Sequence, residues 1–212
     1  MNYFMTGIGT EVGKTVVSAI LVEALKADYW KPVQCGDLDF SDSMKIGDWV
    51  THSATIHPER YRLKLPMSPH AAAEQEQVQI QLSDFQLPQT KGPLIVEGAG
   101  GLMVPLNDQD LMLDLIAHLK IPAIVVSRHY LGSINHTLLS IKVLQQAGIP
   151  IEGIIFSGEA HPTTESIIIK HVGPELILGR INDLATINSD SISEAAGQLQ
   201  AEHSFFQLTS KV

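Results

Sequence analysis

The feature that most constrains this chain is a glycine-rich loop between an apolar strand and a helix. The loop is Gly7-Ile8-Gly9-Thr10-Glu11-Val12-Gly13-Lys14-Thr15, and it follows the strand-like residues Tyr3–Thr6. Apolar side chains at helical spacing then predict a helix over Lys14–Leu25. A helix N-terminus presents unpaired N–H groups and the positive end of the helix dipole, and both favour an anion. The loop therefore predicts a phosphate-binding site.

The end of this loop carries the residue types that nucleotide phosphates need. Lys14 is placed to reach the β- and γ-phosphate oxygens, and the Thr15 hydroxyl is placed to ligate magnesium. Five residues separate Gly7 from Gly13, whereas the usual pattern has four, so the loop is a variant. A tight turn with a surface lysine is the alternative, but the position between a strand and a helix favours the phosphate site.

An acidic residue at the end of a second apolar run complements the loop. Glu97 follows Pro93–Val96 and precedes Gly98-Ala99-Gly100-Gly101. Magnesium is usually held by one or two carboxylates together with phosphate and water. Small residues after the carboxylate would let the backbone approach the phosphates. The alternative is a simple glycine turn after a strand.

Alternating strand and helix patterns predict the fold class: α/β, with a mostly parallel sheet and helices on both faces, as in P-loop NTPases. The other expected strands are Tyr29–Val33, Leu94–Val96, Ala123–Val126, Gly153–Phe156 and Leu176–Ile181. The other expected helices are Asp110–Leu119, Asn135–Gln146 (with Gly148 just past its end) and Ser191–Ala201. Asp37–Pro93 shows no regular pattern. Ligands of such folds bind at the carboxyl ends of the strands.

Composition narrows the cell compartment and the partners. The 212 residues suit a single domain spanning 1–212. The net charge of -9 argues against nucleic acid or an anionic membrane as a partner. Cys35 is the only cysteine, so no intrachain disulfide can form. Because the N-terminal residues have no signal-peptide pattern and no stretch is long enough to span a membrane, we expect a cytoplasmic protein.

Five motifs in order resemble those of the dethiobiotin synthetases, over about residues 2–160. They are Gly-Thr-Glu-Val-Gly-Lys-Thr (9–15), Trp-Lys-Pro-Val-Gln (30–34), Ser-Pro-His (68–70), Val-Glu-Gly-Ala-Gly-Gly (96–101) and Leu-Gly-Ser-Ile-Asn-His (131–136). The resemblance implies an enzyme that uses ATP as co-substrate, Mg²⁺ as cofactor, and the small molecules 7,8-diaminononanoate and CO₂. One amine would form a carbamate, the carbamate would take the γ-phosphoryl group, and the second amine would close the ureido ring of dethiobiotin.

The resemblance also implies roles for individual residues. The catalytic residues would be Lys31, Lys14 and Thr10. The nucleotide-binding residues would be Glu11, Val12, Gly13, Lys14, Thr15, Val16, Glu97, Gly98, Ala99, Gly100 and Ser157. The substrate-binding residues would be Cys35, Gly132, Ser133 and Asn135, the last three acting across the interface of a homodimer. The metal ligands would be Thr15, Glu97 and Asp48, with Asp42 as a rival to Asp48.

This sequence departs from the family pattern at the positions that contact the diamine and the base. Cys35 stands where a Ser or Thr commonly contacts the substrate, and a thiol is a weaker hydrogen-bond donor. Ser157-Gly158 replaces an Asn-Asp pair that reads adenine, and Asn182-Asp183-Leu184 replaces a proline-led segment that also touches the base. We therefore predict loose discrimination among nucleoside triphosphates.

Two other classes of protein share a phosphate loop of this kind. ATP-dependent amidation enzymes carry an additional glutamine-hydrolysing domain, for which this chain is too short. Partition and cell-division ATPases tend to have an extra lysine early in the loop and a basic amphipathic tail. Residues 8–12 contain no lysine, and residues 191–212 show no such face.

Overall fold

The computed structural model describes residues 1–202, which contain nine strands. Numbered along the chain, they are β1 (Asn2–Gly7), β2 (Asp28–Trp30), β3 (Val33–Cys35), β4 (Ile56–His57), β5 (Tyr61–Leu63), β6 (Leu94–Gly101), β7 (Ala123–Arg128), β8 (Ile151–Ser157) and β9 (Ile177–Ile181). Seven of them form one sheet in the order β4-β2-β6-β1-β7-β8-β9, and each neighbouring pair is parallel. β1 is central, so the loop after it lies between the ends of β6 and β7.

Helices cover the sheet on both faces. They are α1 (Lys14–Leu25), α2 (Asp42–Trp49), α3 (Pro69–Gln75), α4 (Met112–Leu119), α5 (Ser133–Gln146), α6 (Pro162–Val172) and α7 (Ser189–Glu202). α1 packs against α2 and α7, whereas α5 packs against α6 and β7. Three short 3₁₀ turns complete the described chain, at Leu38–Phe40, Leu82–Asp84 and Pro174–Leu176.

The core lies on both sides of the central strands. Phe4, Ile95, Val125 and Ile155, one from each of four neighbouring strands, have no exposed surface. Strands that are buried on both faces need apolar side chains at consecutive positions rather than at alternate ones. That requirement explains the compact apolar runs of the sequence, and it confirms the predicted α/β fold.

The expected single strand Tyr29–Val33 is wrong, because the chain breaks at Lys31-Pro32. Proline has no N–H to donate to a sheet ladder. The Pro32 carbonyl instead accepts the N–H groups of Arg60 and Tyr61, at 3.0 and 3.1 Å. This diverts the chain into a second, two-stranded parallel sheet of β3 and β5. Lys31 therefore stands at the carboxyl end of β2.

Two predicted helices begin at other residues than expected. α4 starts at Met112 rather than Asp110, because the Asp114 carboxylate caps the N–H of Leu111 at 2.7 Å. α5 starts at Ser133 rather than Asn135, after Gly132 with a φ of 103°. Its predicted end is confirmed: Gly148 has a φ of 66° and follows the last turn.

The last predicted helix, Ser191–Ala201, is found as α7, Ser189–Glu202. The remainder of the tail, which the sequence suggested has no basic amphipathic face, lies beyond the described residues. None of the helices within residues 1–202 combines the length and the apolar character needed to cross a bilayer.

Candidate active site

The loop after β1 folds into the predicted cradle. Gly13, at the N-cap of α1, has a φ of 89°, a value that side chains disfavour. A Cβ atom at this position would also lie 2.6 Å from Ser157 Oγ, so both conformation and space require glycine. Lys14 begins α1 and donates from Nζ to the Gly9 carbonyl at 2.9 Å, so its side chain folds back over the loop.

Lys14 is a largely desolvated cation. Only 8% of the residue is exposed. Burial lowers its pKa from 10.5 to about 8, although the nearby charge of Glu97 acts in the opposite direction. Two negative phosphates beside Nζ would favour the charged form again. An anionic ligand would therefore stabilise the charged form of Lys14.

Glu97 is the centre of a buried polar cluster. The residue lies in β6 and is 1% exposed. Its Oε1 accepts from Thr15 Oγ1 at 3.0 Å and from Lys31 Nζ at 2.9 Å. Its Oε2 accepts from the Tyr29 hydroxyl at 2.9 Å. One carboxylate therefore joins the phosphate loop, β2 and β6.

Lys31 lies between two carboxylates. Besides Glu97, its Nζ contacts Asp42 Oδ2 at 2.7 Å. Burial alone would lower the pKa of Lys31, but the charges of Glu97 and Asp42 outweigh it and raise the pKa. The pKa of Asp42 is lowered, because the charge of Lys31 outweighs its own desolvation. Lys45 also contacts Asp42, through Oδ1 at 3.2 Å.

Asp42, and not Asp48, is the second carboxylate at this centre. Both residues belong to α2, but Asp48 is exposed and does not line the cavity. Six residues of α-helix turn the side chain by roughly 120° away from the direction of Asp42. The expectation that Asp48 belongs to this centre is therefore wrong, and its rival Asp42 lies there instead; the role of Asp42 as a metal ligand stays a prediction.

These groups line a cavity of about 750 Å³ at the carboxyl ends of β1, β2 and β6. Eleven of the expected site residues contribute to its wall: Thr10, Glu11, Gly13, Lys14, Thr15, Val16, Lys31, Cys35, Glu97, Ala99 and Gly100. In the described part of the chain, seven others do not: Val12, Asp48, Gly98, Gly132, Ser133, Asn135 and Ser157.

Three of the seven residues that do not line the cavity pack next to residues that do. Val12 is 2% exposed and packs beneath the loop. A Cβ atom at Gly98 would lie 2.7 Å from the Phe4 ring, so this glycine allows close packing of β6 against β1. Ser157, at the end of β8, lies against Gly13.

Three of the positions expected to contact the base, Ser157, Gly158 and Asp183, lie near one another, whereas Cys35 lies in the cavity wall. Gly158 has a φ of 92°, and a Cβ atom there would lie 3.4 Å from both the Arg128 guanidinium and the Asp183 carboxylate. Arg128 and Asp183 form a two-pronged ion pair, with N–O distances of 2.8 and 3.0 Å. An aspartate at position 158 would be strained and would meet a second carboxylate there.

None of the residues of the motif 131–136 lines the cavity. Gly132 caps α5, Ser133 is 1% exposed, and Asn135 is exposed. Large apolar side chains lie exposed on and near this segment: Met103, Tyr130, Leu131, Ile134 and Leu139. Leu131 is exposed completely. Within one chain, the motif and the cavity are therefore separate.

The donor atoms of the cavity fit magnesium. Hydroxyl and carboxylate oxygens are the protein ligands that Mg²⁺ prefers, and it commonly takes only one or two carboxylates beside phosphate and water. Thr15, Asp42 and Glu97 supply this set around Lys31 Nζ. Among residues 1–202, no group of three or more His, Cys, Asp or Glu side chains is arranged to hold a metal without a nucleotide.

Sequence reasoning missed Tyr29 and Gln34. The Gln34 side chain is buried in the cavity wall, where Oε1 accepts from the N–H of Asp42 at 3.3 Å. Gln34 belongs to the motif 30–34, which could have identified it. Tyr29 lies two residues before Lys31, and side chains two apart in an extended chain share a face. Cys35 lines the cavity as expected, and burial raises the pKa of its thiol to about 11.

Comparison with known proteins places this site in a family. A family model described as an AAA domain matches residues 1–191. The ATP-dependent dethiobiotin synthetase BioD of Christiangramia forsetii is 55% identical over 183 residues, which cover 86% of this chain and 87% of that protein. BioD of Cytophaga hutchinsonii is 52% identical, covering 84% and 86%. BioD of Paramagnetospirillum magneticum is 42% identical, covering 90% and 92%.

Solved structures of low sequence identity share the fold. The septum site-determining protein MinD of Pyrococcus horikoshii, complexed with Mg-ADP, aligns with a TM-score of 0.53 at 15% identity, covering 99% of this chain and 93% of that one. A plasmid partition protein of Borrelia burgdorferi aligns with a TM-score of 0.54 at 14% identity, covering 94% and 96%. The structural likeness establishes a P-loop α/β fold, and the sequence identity establishes that the chain belongs to the ATP-dependent dethiobiotin synthetase family.

Proposed function

We propose that the protein makes dethiobiotin from 7,8-diaminononanoate, CO₂ and ATP, releasing ADP and phosphate, as a step of biotin biosynthesis. The observation that carries the proposal is the position of Lys31. Its ammonium lies in the same cavity as the phosphate loop, within hydrogen-bond distance of Glu97 and Asp42. A fixed cation beside the γ-phosphate position suits a reaction in which a negatively charged acceptor, here the carbamate, attacks a phosphoryl group.

The chemistry needs positioning and charge neutralisation rather than a covalent protein nucleophile. One amine of the substrate attacks CO₂ and loses a proton, which gives a carbamate. A carbamate oxygen attacks the γ-phosphorus and ADP leaves. The second amine then attacks the carbonyl carbon and expels phosphate, which closes the five-membered urea ring.

Individual side chains have separate tasks in this scheme. Lys31 stabilises the carbamate and the charge that spreads onto the phosphoryl oxygens. Lys14 binds the β- and γ-phosphates, and Thr10, which also lines the cavity, contacts the carbamate. Mg²⁺, when bound with the nucleotide, would neutralise phosphate charge, held by Thr15, Glu97 and Asp42.

The remaining assignments concern the whole chain. We place it in the cytoplasm as one domain over residues 1–212. We also place it in a homodimer, in which Gly132, Ser133 and Asn135 serve the substrate carboxylate at the partner's cavity. The exposed apolar side chains next to these residues support an interface there.

The product itself gives the test of this function. The purified protein is incubated with Mg-ATP, the diamine and ¹³C-bicarbonate, and dethiobiotin is detected by mass spectrometry. We expect dethiobiotin one mass unit heavier than the natural-isotope product. Lys31→Ala should lower the rate by about 100-fold or more, the usual loss of one electrostatic contact to a transition state. Lys91→Ala, which removes an exposed lysine, is the matched control. Unlabelled or absent product from the unaltered protein contradicts the proposal.

A further inference from the structure

Behind the polar cluster lies a tyrosine that does not reach the cavity. The Tyr29 side chain has no exposed surface, and its hydroxyl donates to Glu97 Oε2 at 2.9 Å. In the described part of the chain, Tyr29 is not among the residues that line the cavity. Its hydrogen bond to Glu97 is therefore the contact by which its hydroxyl acts on the cavity.

The backbone of Tyr29 is held firmly by the sheet. The residue lies in β2 with β4 on one side and β6 on the other. It pairs with Ile95 of β6 and Ile56 of β4, and its N–H donates to the Thr55 carbonyl at 3.0 Å. The hydroxyl is consequently presented from a fixed direction, and hydrogen bonds weaken steeply when they are misaligned.

The two oxygens of Glu97 have different neighbours. Oε1 accepts from Thr15 and Lys31, and both of these side chains line the cavity. Oε2 points towards Tyr29, away from the cavity. Because a buried carboxylate oxygen without a partner is costly, the tyrosine hydroxyl disfavours rotations that would remove Oε1 from Thr15.

We propose that Tyr29 is a positioning residue for the divalent cation of the nucleotide complex: it holds Glu97 with Oε1 directed at the Thr15 side of the cavity. Phenylalanine at this position would keep the ring packing but would remove the hydroxyl that bonds Glu97 Oε2. The inference rests on the proposed function only in taking a nucleotide-bound cation as the ligand of Glu97.

The test measures cation binding without catalysis. Mn²⁺ serves as the probe, and its bound fraction is measured by electron paramagnetic resonance in the presence of ADP. We expect Tyr29→Phe to weaken Mn²⁺ binding by tenfold or more, the usual loss when a partner of a metal ligand is removed. ADP affinity measured without metal should stay within twofold. Mn²⁺ binding within twofold of the unaltered protein would overturn the proposal.

A control and a double variant show whether the effect passes through Glu97. Tyr61→Phe also removes the hydroxyl of a buried tyrosine, one that bonds Asp84 and the Gln79 carbonyl and does not line the cavity, and it should leave Mn²⁺ binding unchanged. In a Glu97→Gln background, adding Tyr29→Phe should change Mn²⁺ binding by less than twofold. A loss as large as in the unaltered background would overturn the positioning role. The Mn²⁺-binding assay contains no diamine. If the Mn²⁺ results are as expected but the protein forms no dethiobiotin, the proposed function is contradicted and the positioning role of Tyr29 is not.

Discussion

Two lysines share the cavity, but their surroundings act on them in opposite directions. Lys14 is buried at the N-terminus of α1, and burial lowers its pKa to about 8. Lys31 is buried too, yet two carboxylates within 3 Å raise its pKa. The surroundings of Lys31 therefore favour its charged form, whereas those of Lys14 favour loss of its proton.

This difference predicts proton uptake when nucleotide binds. Phosphate charge raises the pKa of Lys14, so between about pH 8 and 9 the complex holds more protons than the free protein. ATP affinity should accordingly fall as pH rises above 8. Calorimetric titration at pH 8.5 in two buffers of different ionisation enthalpy measures the uptake. Lys14→Arg should abolish it, since arginine stays protonated. Absence of uptake in the unaltered protein would refute the assignment.

The residues at the positions expected to contact the base predict weak selectivity among nucleotides. Ser157-Gly158 provides a short hydroxyl and no second side chain, and the neighbouring Arg128 and Asp183 already bond each other. We expect kcat/KM for ATP to exceed the values for GTP and CTP by less than 100-fold, about 2.7 kcal/mol. Steady-state rates with each triphosphate decide this, and a larger preference for ATP would show that adenine is read by other groups.

At the scale of elements, a buried carboxylate fixes α1 to the chain that follows α2. Glu23 of α1 is 3% exposed and accepts from the N–H and the hydroxyl of Thr51, both at 2.7 Å. Lys26 and His52 also contact it. Since α1 carries Lys14 and α2 carries Asp42, this connection contributes to holding the two sides of the cavity together.

The same contact predicts how stability depends on pH. Burial alone would raise the pKa of Glu23, but its hydrogen bonds with Lys26, Thr51 and His52 prevail and lower it from 4.5 to about 2. A lowered carboxyl pKa stabilises the fold above pH 4.5, and this contribution is lost as pH falls from 4.5 to 2. Glu23→Gln should reduce the free energy of unfolding at pH 7 by about 1–3 kcal/mol.

Urea denaturation at several pH values measures the effect. The difference between Glu23→Gln and the unaltered protein should shrink as pH falls below 4.5. Glu194→Gln, at an exposed position of α7, is the control and should change little. A difference that stays constant down to pH 2.5 would show that the Glu23 charge is not responsible.

The sequence predicted elements where local pattern decides the outcome. β1, β6, β7 and β8 are continuous apolar runs because both faces are buried, so they could be recognised. The break after β2 depends on the hydrogen-bond partners of the Pro32 carbonyl. The first of them, Arg60, lies 28 residues further along the chain. The short elements between residues 37 and 93 are stabilised by contacts distant in sequence, so no local period revealed them.

The site also has parts that the local sequence predicts and parts that it does not. The loop residues are contiguous, so one motif predicted the cradle. The choice between Asp42 and Asp48 depends on where α2 begins, because a helix turns about 100° per residue. Tyr29 contacts Glu97 only because β2 pairs with β6 in a particular register. The sequences of the two strands do not predict that register.

At the scale of the whole molecule, the separation of residues 131–136 from the cavity predicts a dimer. We expect sedimentation to give twice the chain mass of 23.1 kDa. Leu139→Glu places a charge in the exposed apolar patch and should give monomers with little dethiobiotin synthesis. Ile167→Glu, on α6, is the matched control. A monomeric unaltered protein with full activity would exclude a substrate site shared between chains.

We propose that ATP is cleaved in order to convert the diamine into dethiobiotin. The most direct measurement is phosphate release from Mg-ATP and bicarbonate, with and without 7,8-diaminononanoate. We expect phosphate release to depend on the diamine, with one phosphate formed per dethiobiotin, and to be lost in Lys31→Ala. Phosphate release that proceeds equally well without the diamine would contradict dethiobiotin synthesis and would indicate a nucleotide switch or another acceptor.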